Sequence, residues 1–171
     1  THDPDTEVLV TAGATEAIAA TMLALCEPGD EVVAFEPYYD SYAAAIALAA
    51  GVRVPVTLRA PGFRPDRERF AASIGPRTRL ALVNSPHNPS ATVWTAAEMQ
   101  QLSDLLAPTD ILLISDEVYE HMVFDGAAHV SAASIPALAE RAFVVSSLGK
   151  TYHVTRSKCG YLAAPAALSA E

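Results

Sequence analysis

The chain has few cysteines, few basic residues and no long apolar run, and each shortage excludes a class of protein. Its 171 residues include only two cysteines, Cys26 and Cys159, in separate apolar contexts, which argues against a disulfide framework. Eleven basic residues stand against 20 acidic ones, giving a net charge of -9 without a basic cluster, so neither nucleic acid nor a membrane surface is an expected partner. Apolar stretches such as SYAAAIALAAG are too short to cross a bilayer, and the N-terminal THDPDTE shows no signal-peptide pattern. We therefore expect a soluble cytoplasmic protein.

Seven apolar runs of strand length alternate with segments of helical periodicity. The runs are residues 8–11, 31–36, 53–58, 79–85, 111–116, 142–147 and 159–165. Between the first two runs, Ile18, Met22 and Leu25 share one helix face. Near-continuous apolar strands separated by helices are typical of the α/β class, so we predict a mostly parallel seven-stranded sheet flanked by helices. Pro55 removes a ladder donor and assigns its strand to an edge.

Boundary signals agree with this alternation. Thr95 and Glu98 have the spacing of a capping box, which predicts the start of a helix. The sequence Pro-Gly-Asp at residues 28–30 predicts the end of the first helix. Gly51 follows the alanine-rich helix and is predicted to be its C-terminal cap.

Polar groups follow four of the predicted strands at their carboxyl ends. These are residues 12–15 after the first strand, residues 86–89 after the fourth, Asp116 and Tyr119 at the fifth, and Ser147 with Lys150 at the sixth. In an open parallel sheet, ligands bind outside the carboxyl ends of the strands. Each feature alone is more often an ordinary solvated residue, but four features at one edge predict a binding site.

These groups suit a ligand that is an aromatic aldehyde carrying a phosphate. Residues 13–15 lie where a strand turns into a helix, and backbone N–H groups there can bind a phosphate, although a plain turn is the alternative. Lys150 supplies an amine that can form a Schiff base with an aldehyde. Asp116, at the end of an apolar strand, can pair with a protonated pyridine nitrogen. The alternative for Asp116 is a buried carboxylate paired with arginine or a helix N-terminus.

Five segments taken together resemble the consecutive motifs of class I/II aminotransferases, within the fold-type-I pyridoxal-phosphate superfamily. They are TAGATEA, EPYYDSY, NSPHNPS, SDEVYEH and SSLGKTYHVTRSK, and the resemblance runs over residues 8–165. The branch with kynurenine, aspartate and succinyldiaminopimelate aminotransferases is the most similar. The resemblance implies that residues 1–171 form the cofactor-binding large domain of that fold. It also implies that the family's N-terminal segment and C-terminal small domain are missing, and with them the arginine that binds the substrate carboxylate.

Catalytic roles are implied for three residues. Lys150 would hold pyridoxal 5'-phosphate as an internal aldimine and move the proton between the substrate Cα and the cofactor C4′. Asp116 would pair with the pyridinium nitrogen. Tyr119, together with Asn88, would hydrogen-bond the phenolic oxygen of the cofactor.

Further cofactor contacts are implied for residues that could also have an ordinary structural role. Tyr39 would stack on the ring, or else pack in the core. The phosphate would be held by Gly13, Ala14, Thr15, Ser147 and Lys158. Lys158 is otherwise an ordinary surface lysine. His87 lies either near the cofactor or in a structural turn.

Other positions carry no predicted chemistry or depart from the family pattern. The remaining histidines show neither metal-ligand spacing nor a carboxylate partner pattern, so no metal site is predicted; they are His2, His121, His129 and His153. Ser90 and Ala91 replace the usual Thr-Gly, which strains a turn that favours glycine. Arg156 and Ser157 replace a usual Gly-Trp and add a charge beside the second lysine.

The implied activity is transfer of an amino group between an amino acid and a 2-oxo acid by a ping-pong mechanism, with the full-length protein acting as a homodimer. Two alternatives stay open at this point. One is a pyridoxal-phosphate-dependent C–S β-lyase, which needs the same lysine and aspartate. The other is a noncatalytic cofactor-binding module or a truncated pseudoenzyme.

Overall fold

The computed structural model describes residues 2–170, and these residues form one seven-stranded sheet with helices on both faces. The strands are β1 (Val8–Thr11), β2 (Glu31–Glu36), β3 (Val52–Thr57), β4 (Thr78–Asn84), β5 (Leu112–Asp116), β6 (Ala142–Ser147) and β7 (Gly160–Ala163). Their order across the sheet is β1-β7-β6-β5-β4-β2-β3. The pairs from β3 to β6 are parallel, whereas β7 is antiparallel to both of its neighbours. The prediction of a mostly parallel seven-stranded sheet is confirmed.

Within residues 2–170, seven α-helices connect or follow the strands. They are α1 (Ala14–Leu25), α2 (Ser41–Leu48), α3 (Arg67–Ser73), α4 (Ala96–Leu106), α5 (Pro136–Ala139), α6 (Leu148–Thr151) and α7 (Ala166–Ser169). None of the helices within residues 2–170 is long and apolar enough to cross a membrane.

Two apolar cores lie on opposite faces of the sheet. Leu82 of β4 packs with α1 and α2 on one face, and its neighbour Val83 packs with α3 and α4 on the other. In β5, Ile114 and Leu113 divide between the two faces in the same way. Because successive strand residues point to opposite faces, a sheet that is covered twice needs the continuous apolar runs seen in the sequence.

The edge prediction for Pro55 is confirmed. Pro55 lies in β3 opposite Ala34 of β2, and β3 is the last strand of the sheet order. A strand with a single neighbour can lack one ladder N–H without leaving a partner unsatisfied.

The helix-boundary predictions are largely confirmed. The Glu98 amide donates to Thr95 Oγ1 at 3.2 Å, and the Thr95 amide donates to Glu98 Oε2 at 2.8 Å, which completes the capping box. The first helix ends at Leu25, shortly before the Pro-Gly-Asp turn.

The prediction for Gly51 is off by one residue. The left-handed position after α2 belongs to Ala50, with φ of 56°, and not to Gly51. The Gly51 amide still caps the helix, since it donates to the Ile46 carbonyl at 2.9 Å. A Cβ on Gly51 would lie 3.3 Å from both Ile46 Cγ2 and Ile46 O, so close packing against the helix explains the glycine.

Candidate active site

A cavity of about 600 Å³ lies between the N-terminus of α1, the start of α2 and the carboxyl ends of β4, β5 and β6. All ten of the predicted site residues line it: Gly13, Ala14, Thr15, Tyr39, Asn88, Asp116, Tyr119, Ser147, Lys150 and Lys158. The fold therefore brings together residues that are far apart in sequence. Their individual chemical roles stay predictions.

Asp116 ends β5 and is only 5% exposed. The Val118 amide donates to its Oδ1 at 3.2 Å, and the Tyr42 hydroxyl donates to its Oδ2. Burial raises the pKa of Asp116 to about 6, against the opposing effect of these two hydrogen bonds. Within residues 2–170, no lysine, arginine or histidine forms an ion pair with it. The carboxylate is thus placed where a cationic ligand would stabilise it.

Tyr42 is a site residue that the sequence reading missed. It lies in α2, is almost fully buried and lines the cavity. Burial, and then the charge of Asp116, raise the pKa of Tyr42 well above its usual value, so it keeps its proton and acts as a donor. Its ring meets that of Tyr39 edge-on, with centroids 6.1 Å apart. The available signal was the spacing of three residues after Tyr39, one helical turn.

Asn84 was also missed, and it connects two of the predicted residues. Its side-chain amide donates to the Asp116 carbonyl at 2.9 Å, while its Oδ1 accepts from the Asn88 amide at 2.7 Å. The end of β4 therefore sets the position of Asn88 relative to β5.

Lys150 lies in α6, directly after β6, and is half-buried. Its Nζ is 5.6 Å from the centroid of the Tyr119 ring, within the range of a cation–π contact. No carboxylate within residues 2–170 forms an ion pair with this amine. The amine faces the cavity and is available to a carbonyl group there.

Backbone geometry leaves the N-terminus of α1 open to an anion. Gly13 precedes the helix with φ of 85°, which favours glycine, and no side chain caps the helix there. Gly160 allows the close approach of this turn, because a Cβ at Gly160 would lie 2.5 Å from the Gly13 carbonyl carbon. The exposed Lys158 lies two residues before Gly160 and lines the same cavity. Backbone donors and a lysine thus meet at one end of the cavity, as a phosphate requires.

No sequence pattern pairs His129 with a carboxylate, but the fold places Glu117 beside it. Its Nε2 lies 2.8 Å from Glu117 Oε2, and with Glu120 these side chains form a cluster whose ligand atoms lie within 4.8 Å of one another. Residues 117 and 129 are joined by a long loop, so their spacing gave no signal. Two exposed or half-buried histidines, His2 and His121, also lie within 4.0 Å of a glutamate.

The sequence profile described as aminotransferase class I and II matches residues 1–170. The chain belongs to this aminotransferase family. It is 53% identical over 169 residues to the methionine aminotransferase of Escherichia coli K12, covering 99% of this chain and 44% of that relative. It is 45% identical over 171 residues to a probable N-succinyldiaminopimelate aminotransferase DapC of Mycobacterium tuberculosis, covering 99% and 43%.

Solved aminotransferase structures share the fold. The crystal structure of YbdL from Escherichia coli, described with a methionine aminotransferase function, superposes with a TM-score of 0.97 at 52% identity, covering 99% of this chain and 45% of that one. The sheet and its helices are therefore those of the large domain of these enzymes. The chain spans less than half the length of the relatives described.

Aminotransferases of class I and II depend on pyridoxal 5'-phosphate, and the cavity fits this group. Within residues 2–170 the buried carboxylate of Asp116 has no cationic partner, and a pyridinium nitrogen would supply one. The open N-terminus of α1 and Lys158 suit the phosphate, and Lys150 suits the aldehyde. The donor set thus matches the cofactor at three separate points.

Proposed function

We propose that the protein is a pyridoxal-phosphate-dependent aminotransferase that moves an amino group between an amino acid and a 2-oxo acid. One observation carries the proposal: a buried carboxylate without a cation, a cavity-facing lysine and an uncapped helix N-terminus line the same cavity. The relatives described above are all aminotransferases, so neither the C–S β-lyase nor the noncatalytic module is favoured.

When bound, pyridoxal phosphate supplies an electron sink that makes the substrate Cα proton acidic. When the cofactor is bound, Lys150 would hold it through Nζ, and the same Nζ would accept and return the substrate Cα proton. Asp116 keeps the ring nitrogen charged, and Tyr42 orients Asp116 through its hydroxyl. Asn88 and Tyr119 donate to the phenolic oxygen.

The remaining residues bind and orient. Tyr39 is 46% exposed, so one face of its ring is free to cover the cofactor. The backbone of residues 13–15 holds the phosphate, aided by the side chains of Ser147 and Lys158. Together these contacts would hold the cofactor in one orientation beside Lys150.

Substrate and assembly are further parts of the proposal. Methionine is the first amino donor to test, because the relative that is 53% identical is named for it. We propose a homodimer for the full-length protein, to be measured by light scattering. A cytoplasmic location is supported by the two free cysteines, which suit a reducing compartment.

The test uses the full-length protein with pyridoxal phosphate. Borohydride should fix the cofactor on one lysine, and peptide mass spectrometry should identify Lys150. Lys150→Ala should lose both this product and the visible absorption band while keeping its circular dichroism. Lys158→Ala is the matched control and should still be labelled at Lys150. Labelling of another lysine in Lys150→Ala contradicts the assignment.

Added methionine separates the activities. Loss of the visible band with formation of the 2-oxo acid supports amino transfer. Release of ammonia with cleavage of a cysteine conjugate supports the lyase. A band that no amino acid changes shows binding without turnover and overturns the proposed function.

A further inference from the structure

His87 is buried in the turn beside the cavity, and only one of its ring nitrogens has a partner. The residue is 4% exposed, and its Nδ1 lies 2.7 Å from Ser90 Oγ. Nε2 is buried and has no hydrogen-bond partner among residues 2–170. Burial lowers the pKa of His87, and the nearby carbonyl of Pro37 opposes this effect only in part, so the ring is neutral at pH 7 and carries one proton.

Polar groups on both sides of the ring determine where this proton lies. Thr92 Oγ1 donates to the Gly62 carbonyl at 3.3 Å, since a carbonyl only accepts. Ser90 Oγ lies 2.9 Å from Thr92 Oγ1, and donation in that direction favours a proton on Nδ1. The Pro37 carbonyl, which can only accept, favours a proton on Nε2. The hydrogen bond between Nδ1 and Ser90 Oγ forms with either proton position.

Nε2 is the ring nitrogen that has no partner of good hydrogen-bond geometry among residues 2–170. Such a group costs about 1–3 kcal/mol, and an apolar side chain of the same shape would avoid the cost. The hydrogen bond of Nδ1 therefore explains why a histidine, and not an apolar residue, suits this position. That nitrogen fastens the turn at residues 87–92.

The turn needs to be held because its backbone is unfavourable. Ala91 has φ of 59°, a left-handed conformation that a residue with Cβ adopts at a cost of about 1 kcal/mol. This confirms the strain expected from alanine at a position where glycine is usual. Two backbone hydrogen bonds close the turn, from the His87 amide to the Thr92 carbonyl at 2.8 Å and from the Ala91 amide to the His87 carbonyl at 2.7 Å. The next residue, Asn88, lines the cavity.

We propose that His87 is a positioning residue, whose hydrogen bond between Nδ1 and Ser90 Oγ holds the strained turn and thereby sets the side chain of Asn88 in the cavity. The proposal rests on the proposed function for the cofactor contact of Asn88, but its contact with Ser90 is a property of the chain itself. Substitution at His87 should therefore alter the site through Asn88.

The first experiment measures the state of the His87 imidazole in the cofactor-free protein. Imidazole ¹⁵N chemical shifts of the cofactor-free full-length protein should show a neutral His87 at pH 7 whose Nδ1 is hydrogen-bonded. Ser90→Ala should shift the Nδ1 signal and broaden or shift the side-chain amide signals of Asn88. Nδ1 or Asn88 signals that Ser90→Ala leaves unchanged overturn the proposal even if the cofactor never binds.

The second experiment follows the pH midpoint of the visible band of the bound cofactor. Asparagine places its amide where Nδ1 lies, whereas glutamine places its amide near Nε2. His87→Asn should therefore keep the midpoint, while His87→Gln and His87→Leu should raise it by about one pH unit, because the phenolic oxygen loses a donor that stabilises its ionised form. His121→Gln, an exposed histidine, is the control and should change nothing.

A double-mutant comparison separates positioning from mere folding. In an Asn88→Ala background, His87→Leu should cause no further rise in the midpoint, since its effect passes through Asn88. An additive rise, or an unchanged midpoint in His87→Leu despite lower stability, contradicts the proposal. If wild-type protein shows no visible band, the proposed function fails and the ¹⁵N result decides the role of His87.

Discussion

Asp116 and Glu117 are consecutive and almost completely buried, yet they belong to two different regions of the molecule. The Asp116 side chain lines the cavity, where it accepts hydrogen bonds from the Tyr42 hydroxyl and the Val118 amide. The Glu117 side chain accepts from Ser115 Oγ at 2.8 Å and from the Ala132 amide at 2.9 Å, and it pairs with His129 at 2.8 Å.

The difference shows what marks a carboxylate as functional. Both carboxylate oxygens of Glu117 have hydrogen-bond partners, one of them an imidazole. The fold itself therefore satisfies this carboxylate. Asp116 has two neutral donors and no cation among the described residues. Two equally buried carboxylates therefore have different roles. Glu117 stabilises the loop that contains Ala132 and His129, whereas Asp116 is suited to bind a cationic ligand.

The largest expected effect is that of Asp116→Asn on turnover. An amide cannot neutralise a pyridinium, and losing a buried charge partner costs about 3–5 kcal/mol. This corresponds to a fall in kcat of roughly 2 × 10²- to 5 × 10³-fold. Steady-state kinetics of the full-length protein with methionine and a 2-oxo acid measure the effect.

Glu117→Gln is the matched control, since it makes the same change one residue away. It should keep kcat within about tenfold of wild type per folded molecule, because its carboxylate does not line the cavity. Equal losses in the two variants would remove the distinction between the two regions.

The next largest effect is the loss of stability in His129→Leu. The substitution leaves Glu117 buried without its imidazole partner, which should lower the free energy of unfolding by about 3 kcal/mol. Urea denaturation of the cofactor-free protein measures this change. His121→Leu, at an exposed histidine, should change stability by less than about 0.5 kcal/mol, and similar losses at both positions would argue against the buried pair.

The sequence predicted one member of this comparison and missed the other for a physical reason. Asp116 ends an apolar strand within a known motif, so its position at the cavity could be predicted, while its pyridinium partner stays a prediction. Two partners of Glu117 are Ala132 and His129. An irregular loop follows Glu117 and brings these residues back beside it. No periodicity encodes such a contact. The spacing of Tyr42 from Tyr39 indicates that the two lie one helical turn apart, but it does not indicate the hydrogen bond from Tyr42 to Asp116.

Local rules worked where neighbours in sequence decide the structure. The strand runs, the capping box at Thr95 and the edge position of Pro55 all follow from adjacent residues. Gly51 was misjudged because two small residues, Ala50 and Gly51, compete for the left-handed position, and packing against Ile46 decides between them.

The raised pKa of Asp116 predicts a dependence of stability on pH in the cofactor-free protein. The folded pKa is about 6 and the unfolded value about 3.8, so between these values the folded state binds more protons. Stability should therefore fall as pH rises from about 4 to about 6, by at most about 3 kcal/mol. Asp116→Asn should remove this part of the pH dependence, as measured by urea unfolding at several pH values, and Glu117→Gln serves as the comparison. A slope that persists in Asp116→Asn would assign the effect to other groups.

The smallest expected effect concerns Tyr42→Phe, which keeps the ring and removes the hydroxyl. The hydroxyl bond lowers the pKa of Asp116 against the effect of burial, so its loss should raise that pKa further and make the charged carboxylate harder to form. Affinity for pyridoxal phosphate should fall by about 1–2 kcal/mol, or roughly fivefold to thirtyfold.

Equilibrium titration of the cofactor-free full-length protein measures this change. Tyr38→Phe is the control, because Tyr38 lies beside Tyr42 but its hydroxyl accepts from Arg53 and not from the site. If Tyr42→Phe bound the cofactor as tightly as wild type, the hydroxyl would serve packing alone. The charged form of Asp116 would then be stabilised by the Val118 amide and the bound ligand. The Asp116 carboxylate would have fewer stabilising partners within the fold than the Glu117 carboxylate has.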